Sequence, residues 1–418
     1  MQKLQWHIEQ RTVSDLLAWE KNPRKMSDKD RQDLHNSFKK FNYVEVVIIN
    51  KDNVVIGGHQ RLHELLSDGK GDELIDVRVP NRKLTPKEFS ELAIRLNKNR
   101  GDWDNDRLAS FFDAEDLQNF GFDELELNNI FDGMLQAEDD DLDLEGELAK
   151  IKKPITKPGE MIILGKHKLL CGDSRNPENW KRLMGKVKAT LQLTDPPYNV
   201  NYTGGTKEKL KIKNDKMSNS DFLKFLSDYF IAANEVMKPG AASYVFHSDS
   251  EGLNFRKAFI DAGNKLAQCI IWVKNSIVMG RQDYQWQHEP ILYGWKPGAW
   301  HKWYSDRKQS TVLNFDRPLR SEEHPTMKPV ELTGYLMKNS SAINSVVIDG
   351  FVGSGTTIVT AEQLKRICYA MEDDPIYCDV IVIRWEKLTG KKAKRIPYNG
   401  NQKTTNQKSG KTSTKAKS

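Results

Sequence analysis

Ser345-Val346-Val347-Ile348-Asp349-Gly350-Phe351-Val352-Gly353-Ser354-Gly355-Thr356-Thr357 decides what kind of fold this chain takes. Its first four residues are mostly β-branched and apolar, as in a short strand buried on both faces. Asp349 ends the apolar run, and Gly353 and Gly355 then let the backbone pass close to a ligand. From Thr356 through Leu364 the pattern is helical, so the free N–H groups of a helix start face whatever the loop holds. Strand, glycine loop and helix in this order is the unit of an α/β sheet. The next apolar run, Arg366 to Ala370, is a second strand, and Glu372 follows it. An acid at that strand end, about 20 residues past the loop, is placed to grip a ribose diol.

The loop lacks the third glycine of a pyrophosphate fingerprint, because Ile358 stands there. That argues against a nicotinamide dinucleotide. Two readings remain open: a tight strand-to-helix turn, or a cradle for a cofactor with adenosine and no phosphates. S-adenosylmethionine is such a cofactor; Asp349 can meet the ammonium of its methionine half and Glu372 its ribose.

Far upstream, Val187 to Leu193 reads as another buried strand, and Asp195-Pro196-Pro197-Tyr198 follows it. Proline cannot continue a ladder, so the strand stops there, at the carboxyl edge where α/β sheets bind ligands. The quartet offers a carboxylate, carbonyls without competing N–H groups, and an aromatic face. These are acceptors for an exocyclic amine on a flat base, with Tyr198 as a stacking surface.

Taken together these pieces resemble the amino-methyltransferases of DNA, in the permuted (beta-class) order in which the catalytic motif precedes the cofactor motif. The resemblance covers roughly residues 155 to 390. Leu170-Cys171-Gly172-Asp173 is similar to the segment whose acid approaches the cofactor's adenine, and Thr194 to Tyr198 to the catalytic motif. His288-Glu289-Pro290 through Lys296 resembles a later strand on the target side. His324-Pro325-Thr326-Met327-Lys328-Pro329 resembles the motif opening the helix before the cofactor strand, and Asp349 to Thr357 the cofactor loop; Gly350 stands where relatives often carry proline. The resemblance implies a Rossmann-like methyltransferase fold, a mixed seven-stranded sheet with helices on both faces. It implies transfer of a methyl group from S-adenosylmethionine to the N6 amine of a flipped adenine in DNA, with N4-cytosine as the alternative, since cytosine enzymes more often begin the quartet with serine. The expected catalytic residues are Asp195, Pro196, Pro197 and Tyr198. The expected cofactor residues are Asp173, Lys328, Asp349, Phe351, Gly353, Ser354, Gly355, Thr356 and Glu372.

A chain of 418 residues exceeds what one core usually serves, so more than one domain is expected. The acid-rich run Glu138 to Glu147 reads as a solvated linker, placed at 138–154. It separates the methyltransferase domain, 155–390, from a small α+β domain, 1–100, with a helical extension, 101–137. Lys391 to Ser418 contains no acid and many lysines, and reads as a disordered basic tail. Four cysteines without metal-ligand spacing, no signal peptide and no long apolar span point to a cytoplasmic protein without membrane or metal. The pairing of domains resembles proteins of bacteria and their phages, where restriction partners also occur.

Double-stranded DNA is the expected partner. Lys207, Lys209 and Lys211 follow the quartet in a basic loop, readable as phosphate contacts or as an exposed amphipathic strand. Trp303, Arg307 and Arg317 fall where the family's target recognition lies. In the first domain, Asp28 to Phe41 reads as a helix burying Leu34, Phe38 and Phe41, and Val44 to Ile49 as a strand. Val54 to Leu62 then runs through a glycine turn into a helix. Residues 8 to 100 resemble a ParB-like domain, with Gly58-His59-Gln60-Arg61 at that family's Gly-Glu-Arg-Arg box. Gly58 and Arg61 make a candidate anion site for a nucleotide, against the plain alternative of a structural turn in a DNA-docking domain. Trp103, Leu108, Phe111, Phe112, Leu117, Phe120 and Phe122 read as the core of the extension. A ParB-like binder carrying a degenerate transferase, and the same transferase chemistry on RNA or protein amides, are further functional alternatives.

Overall fold

The computed structural model describes residues 3–20, 26, 28–98, 104–140, 142–200, 216–279, 282–316 and 327–398. It divides into two compact units, residues 1–123 and 124–418.

The first unit contains β1 (Trp6–Thr12), α1 (Asp28–Phe41), β2 (Val47–Ile49), β3 (Val55–Gly57), α2 (His59–Ser67), β4 (Leu74–Pro80), α3 (Pro86–Lys98), α4 (Asn105–Phe111) and α5 (Ala114–Asn119). Its four strands pair in the order β1-β4-β2-β3. In β4, Ile75, Val77 and Val79 alternate inward with exposed neighbours, the period-2 pattern of a half-buried strand. They meet Val13, Val47, Val55, Leu62 and Phe38 in one core. The helix over 28–41 matches expectation, but Phe41 is 61% exposed and does not join Phe38. The strand expected from Val44 begins at Val47, with Val44 in solvent.

The second unit starts earlier than the acidic run. It contains α6 (Glu124–Phe131), α7 (Leu144–Lys150), β5 (Met161–Leu164), β6 (His167–Cys171), α8 (Pro177–Met184), β7 (Ala189–Thr194), α9 (Asn219–Glu235), β8 (Met237–Phe246), α10 (Gly252–Asp261), β9 (Lys265–Val278), β10 (Trp286–Trp295), β11 (Val312–Asn314), α11 (Val330–Ser340), β12 (Val346–Asp349), α12 (Thr356–Gln363), β13 (Ile367–Glu372), α13 (Pro375–Thr389) and β14 (Lys394–Ile396). Ten strands form one sheet in the order β11-β9-β10-β8-β7-β12-β13-β6-β5-β14. The five central ones, β8 to β6, run parallel, and β10 is antiparallel to β8. The mixed sheet agrees with expectation; seven strands was too few. Edge pieces such as β11 and β14, three residues each, are too short to show a period.

Helices cover both faces. Leu191, Leu193 and Val347 face α11, α12 and α13, where Leu336, Ile358 and Trp385 complete one core. Ala189 and Ile348 face α8, α9 and α10, where Trp180, Leu226 and Phe259 complete the other.

The acidic run is corrected most. Its acids are not a solvated linker: Asp140 forms two 2.7 Å contacts with the buried guanidinium of Arg384 on α13. Asp139 accepts the N–H of Val330 at 2.7 Å, at the first turn of α11. Leu142 and Leu144 are buried against Val380. Charges expected to repel one another are therefore divided among separate partners. The 101–137 extension is also split. Leu108 and Leu117 are buried as expected, but Phe111, Phe112 and Phe120 are exposed, while residues 124–137 belong to the second unit, where Asp132 binds Arg366. The stretch expected as a tail from 391 is ordered at its start, because Lys394–Ile396 pairs with β5; its residues 399–418 lie outside the described ones.

Candidate active site

β7 and β12 are parallel neighbours at the middle of the sheet. From β7 the chain goes on to β8 on one side, and from β12 to β13 on the other. Strands that lead apart in this way open a crevice beyond their carboxyl ends. Asp195 stands just past β7, and Asp349 ends β12. The two ends are joined directly, since Thr194 Oγ1 donates to Asp349 Oδ1 at 2.9 Å. One cleft is lined by Asp195, Lys328, Asp349, Phe351, Gly353 and Ser354, among others.

The glycine loop keeps one wall of that cleft bare. Gly353 and Gly355 have φ of 53° and 93°, values that side chains rarely tolerate. A Cβ at Gly353 would meet only open space, so the backbone there is uncovered. Gly355 lies against Ile381, and Gly350 lies so close to the Tyr229 ring that a Cβ there would clash with it. Phe351 packs edge-on to Tyr229 and tilted to Phe225.

Two carboxyls brace the loop. Asp349 is buried and accepts from Thr194 Oγ1, Thr357 Oγ1 at 2.7 Å and Phe351 N–H at 3.0 Å. Among the described residues no cation pairs with it, and burial pushes it up to about 6 despite those donors. Glu372 accepts from Gly353 N–H at 2.9 Å and Asp374 N–H at 3.0 Å. Burial, reinforced by Asp373, pushes it up to about 8. From behind, Arg384 donates to Ser354 O at 3.0 Å and approaches Thr356 Oγ1 at 3.3 Å. Asp140 thus supports the loop through Arg384.

The opposite wall is an ionic cluster. Lys328 Nζ lies 2.7 Å from Asp195 Oδ2 and 2.8 Å from Glu289 Oε1. Lys274 Nζ lies 2.8 Å from the other Glu289 oxygen. Tyr198 OH reaches Asp195 Oδ1 at 2.5 Å and also contacts Glu289. Burial raises the Asp195 carboxyl, against the pull of Lys328 and with a push from Glu289. Burial would raise Glu289 too, but Lys328 and Lys274 outweigh it and hold it at about 2. Burial works against the Lys328 charge, and the two carboxylates reverse it, so its pKa is raised. Pro196, next in the chain, is buried.

The sequence motif assigns Lys328 to the cofactor; the structure puts its ammonium on Asp195. Glu289 and Lys274 were missed. A signal existed: Lys274 directly follows the apolar run Ile270–Val273, and Glu289 directly precedes the apolar run Pro290–Tyr293. The Tyr198 ring has Lys328 near its face, 5.3 Å from the centroid, and is edge-on to Phe255. Asp173 stands next to the Glu372 strand end but is taken up by Arg175, with Nη2 at 2.7 Å and Nε at 3.0 Å. Trp303 is half-buried against the core and donates to Asp306 O, so it is not a free contact surface; Arg307 is exposed. Lys207, Lys209, Lys211, Arg317 and the His324-Pro325-Thr326 part of its motif lie outside the described residues. Asn199 and Met217, flanking the basic stretch, bond each other.

In the first unit, Gly58 has φ 98° and caps α2, as a glycine turn should. Arg61 is paired with Glu45, which offsets the charge an anion would need. His35, Glu64 and Asp68 bring ligand-type atoms together between α1 and α2; the side-chain contact of His35 with Glu64 accounts for that grouping. No helix among the described residues is long and apolar enough to cross a membrane.

Residues 189–383 match the protein family described as DNA methylase. The chain is 23% identical over 291 residues to the type II methyltransferase M.BglII of Bacillus subtilis, covering 59% of this chain and 74% of that protein. It is 25% identical over 198 residues to the type II methyltransferase M.HpaI of Haemophilus parainfluenzae, covering 42% of this chain and 61% of that one. Among solved structures, M1.HpyAVI in its complex with SAM matches with a TM-score of 0.39 at 21% identity, over 52% of this chain and 98% of that one.

Proposed function

From the match of residues 189–383 to the family described as DNA methylase, we propose that the protein transfers a methyl group from S-adenosylmethionine to the N6 amine of adenine in double-stranded DNA. The carrying observation is the single cleft shared by Asp195 and the glycine loop, joined through Thr194 and Asp349. The residues present fit the cofactor. Asp349 is a buried carboxylate whose hydrogen-bond donors are neutral, suited to an ammonium. The bare backbone at Gly353 admits close approach, Glu372 suits a ribose diol, and Phe351 offers an apolar face. When bound, the cofactor supplies a methyl on a sulfonium, an electrophile that needs only alignment.

The chain's own work is on the amine. Its nitrogen lone pair is delocalised into the base ring. Asp195 and the Pro196 carbonyl each accept an N–H, which favours tetrahedral geometry at nitrogen and frees the lone pair to attack in line. Asp195 then holds the proton that leaves after the barrier. Lys328 keeps the acid oriented. A target amine inside a duplex is out of reach, so the base must be extruded into the cleft. Asp195 at the head of the quartet supports adenine N6; N4-cytosine is the second reading, because the same acceptors suit either exocyclic amine.

The first unit is proposed as a ParB-like accessory domain that docks DNA, with the Arg61–Glu45 pair speaking against a nucleotide there. Expression in a methylation-deficient bacterium, followed by direct sequencing of its native DNA, tests the proposal. N6-methyladenine at a fixed short sequence is expected; N4-methylcytosine would select the second reading, and unmodified DNA would refute both.

A further inference from the structure

The site holds more charge than the transfer requires. Asp195 and Lys328 alone would be a neutral pair, yet Glu289 and Lys274 are buried beside them, with side chains 6% and 9% exposed. Each extra buried ion costs desolvation, so their presence needs a physical return. Geometry supplies one. Lys328 is divided almost evenly, at 2.7 Å and 2.8 Å, between Asp195 and Glu289. Tyr198 has a single hydroxyl proton and two carboxylates within reach. Donors shared with a competing acceptor hold Asp195 less tightly, and it keeps lone pairs to offer an amine.

The sheet builds this arrangement. Glu289 on β10 stands opposite Trp272 on β9, and Lys274, two residues on, is its diagonal neighbour on the same face. We propose, resting on the transferase reading above, that Glu289, backed by Lys274, is a positioning residue that draws Lys328 and the Tyr198 hydroxyl partly off Asp195 and so leaves that acid open to the substrate amine.

The charged and titratable groups facing Asp195 are Lys328 ahead of α11, Tyr198 on its own loop, Glu289 on β10 and Asp349 on β12. Lys274 acts through Glu289. His247, past β8, faces Glu289, and burial lowers its pKa. Without the Glu289 charge, Lys328 bears wholly on Asp195 and lowers its pKa. Without Lys274, Glu289 competes harder for Lys328, and Asp195 rises.

The test is the pH–rate profile of methyl transfer by the full chain. Glu289→Gln should lower kcat about tenfold or more at neutral pH and move the acid limb down by about half a unit to one unit; Lys274→Met should move it up by a similar amount. KM for the methyl donor should stay within about twofold in both, since neither group touches the glycine loop. Acid limbs unmoved in both variants, or moved in the same direction, would overturn the inference. Should Glu289→Gln not fold, the double variant Glu289→Gln/Lys274→Met restores neutrality and should keep the lowered limb; a wild-type kcat from it would also overturn the inference. A wild-type chain that transfers no methyl sinks the transferase reading instead. Infrared titration of the Asp195 carboxyl in the same variants then still reads the predicted opposite shifts.

Discussion

Replacing Asp140 with asparagine should loosen the glycine loop from a distance. Arg384 is 1% exposed in its side chain and Asp140 15%, and two contacts of 2.7 Å join them. Removing one partner of a buried pair costs about 3–5 kcal/mol, because the other charge is left uncompensated. Asparagine keeps one acceptor, and water can reach the open side of residue 140, so about 2–3 kcal/mol is the expected loss. For a unit of this size that lowers Tm by roughly 4–12 °C. Arg384 also holds Ser354 O, so the variant should bind S-adenosylmethionine several-fold more weakly. Scanning calorimetry and a cofactor titration read both effects. An unchanged Tm, within about 1 °C of wild type, would refute the claim that the acidic run is a structural strut.

Asp349→Asn removes the buried carboxylate proposed to receive the cofactor's ammonium, and should raise the Kd for S-adenosylmethionine by about ten- to a hundredfold in calorimetry. Glu372, pushed up to about 8 from an ordinary 4.5, carries a proton in the folded chain that the unfolded chain releases. Its contribution is therefore present at low pH and lost as pH rises towards 8, so Tm should fall between pH 5 and 8 and Glu372→Gln should flatten that slope.

Much of the site was legible because its signals are local. Gly353 and Gly355, the paired prolines and the acids at two strand ends each announce a backbone requirement that neighbouring residues confirm. The strands carrying them, β7 and β12, were found within two residues of their ends. What was not legible depends on distant partners. Asp139 and Asp140 read as self-repelling acids until Arg384 and the start of α11, some 190 or more residues away, are in place. Lys328 looks like a cofactor contact in its own motif, and only folding shows it between Asp195 and Glu289. Phe111 and Phe120 were expected inside because aromatic residues usually are, but helices as short as α4 and α5 bury one narrow face, and Leu108 and Leu117 occupy it.

One proposed act is central, the movement of a methyl group from a sulfonium to a nucleobase amine held by Asp195. Purified protein incubated with methyl-labelled S-adenosylmethionine and unmodified DNA, followed by digestion and mass analysis of the nucleosides, measures it directly. Label in N6-methyldeoxyadenosine with the wild type, and none with Asp195→Ala at a cofactor Kd within a few-fold of wild type, is the predicted result. Undiminished labelling by Asp195→Ala, or no labelled nucleoside from the wild type, would contradict it.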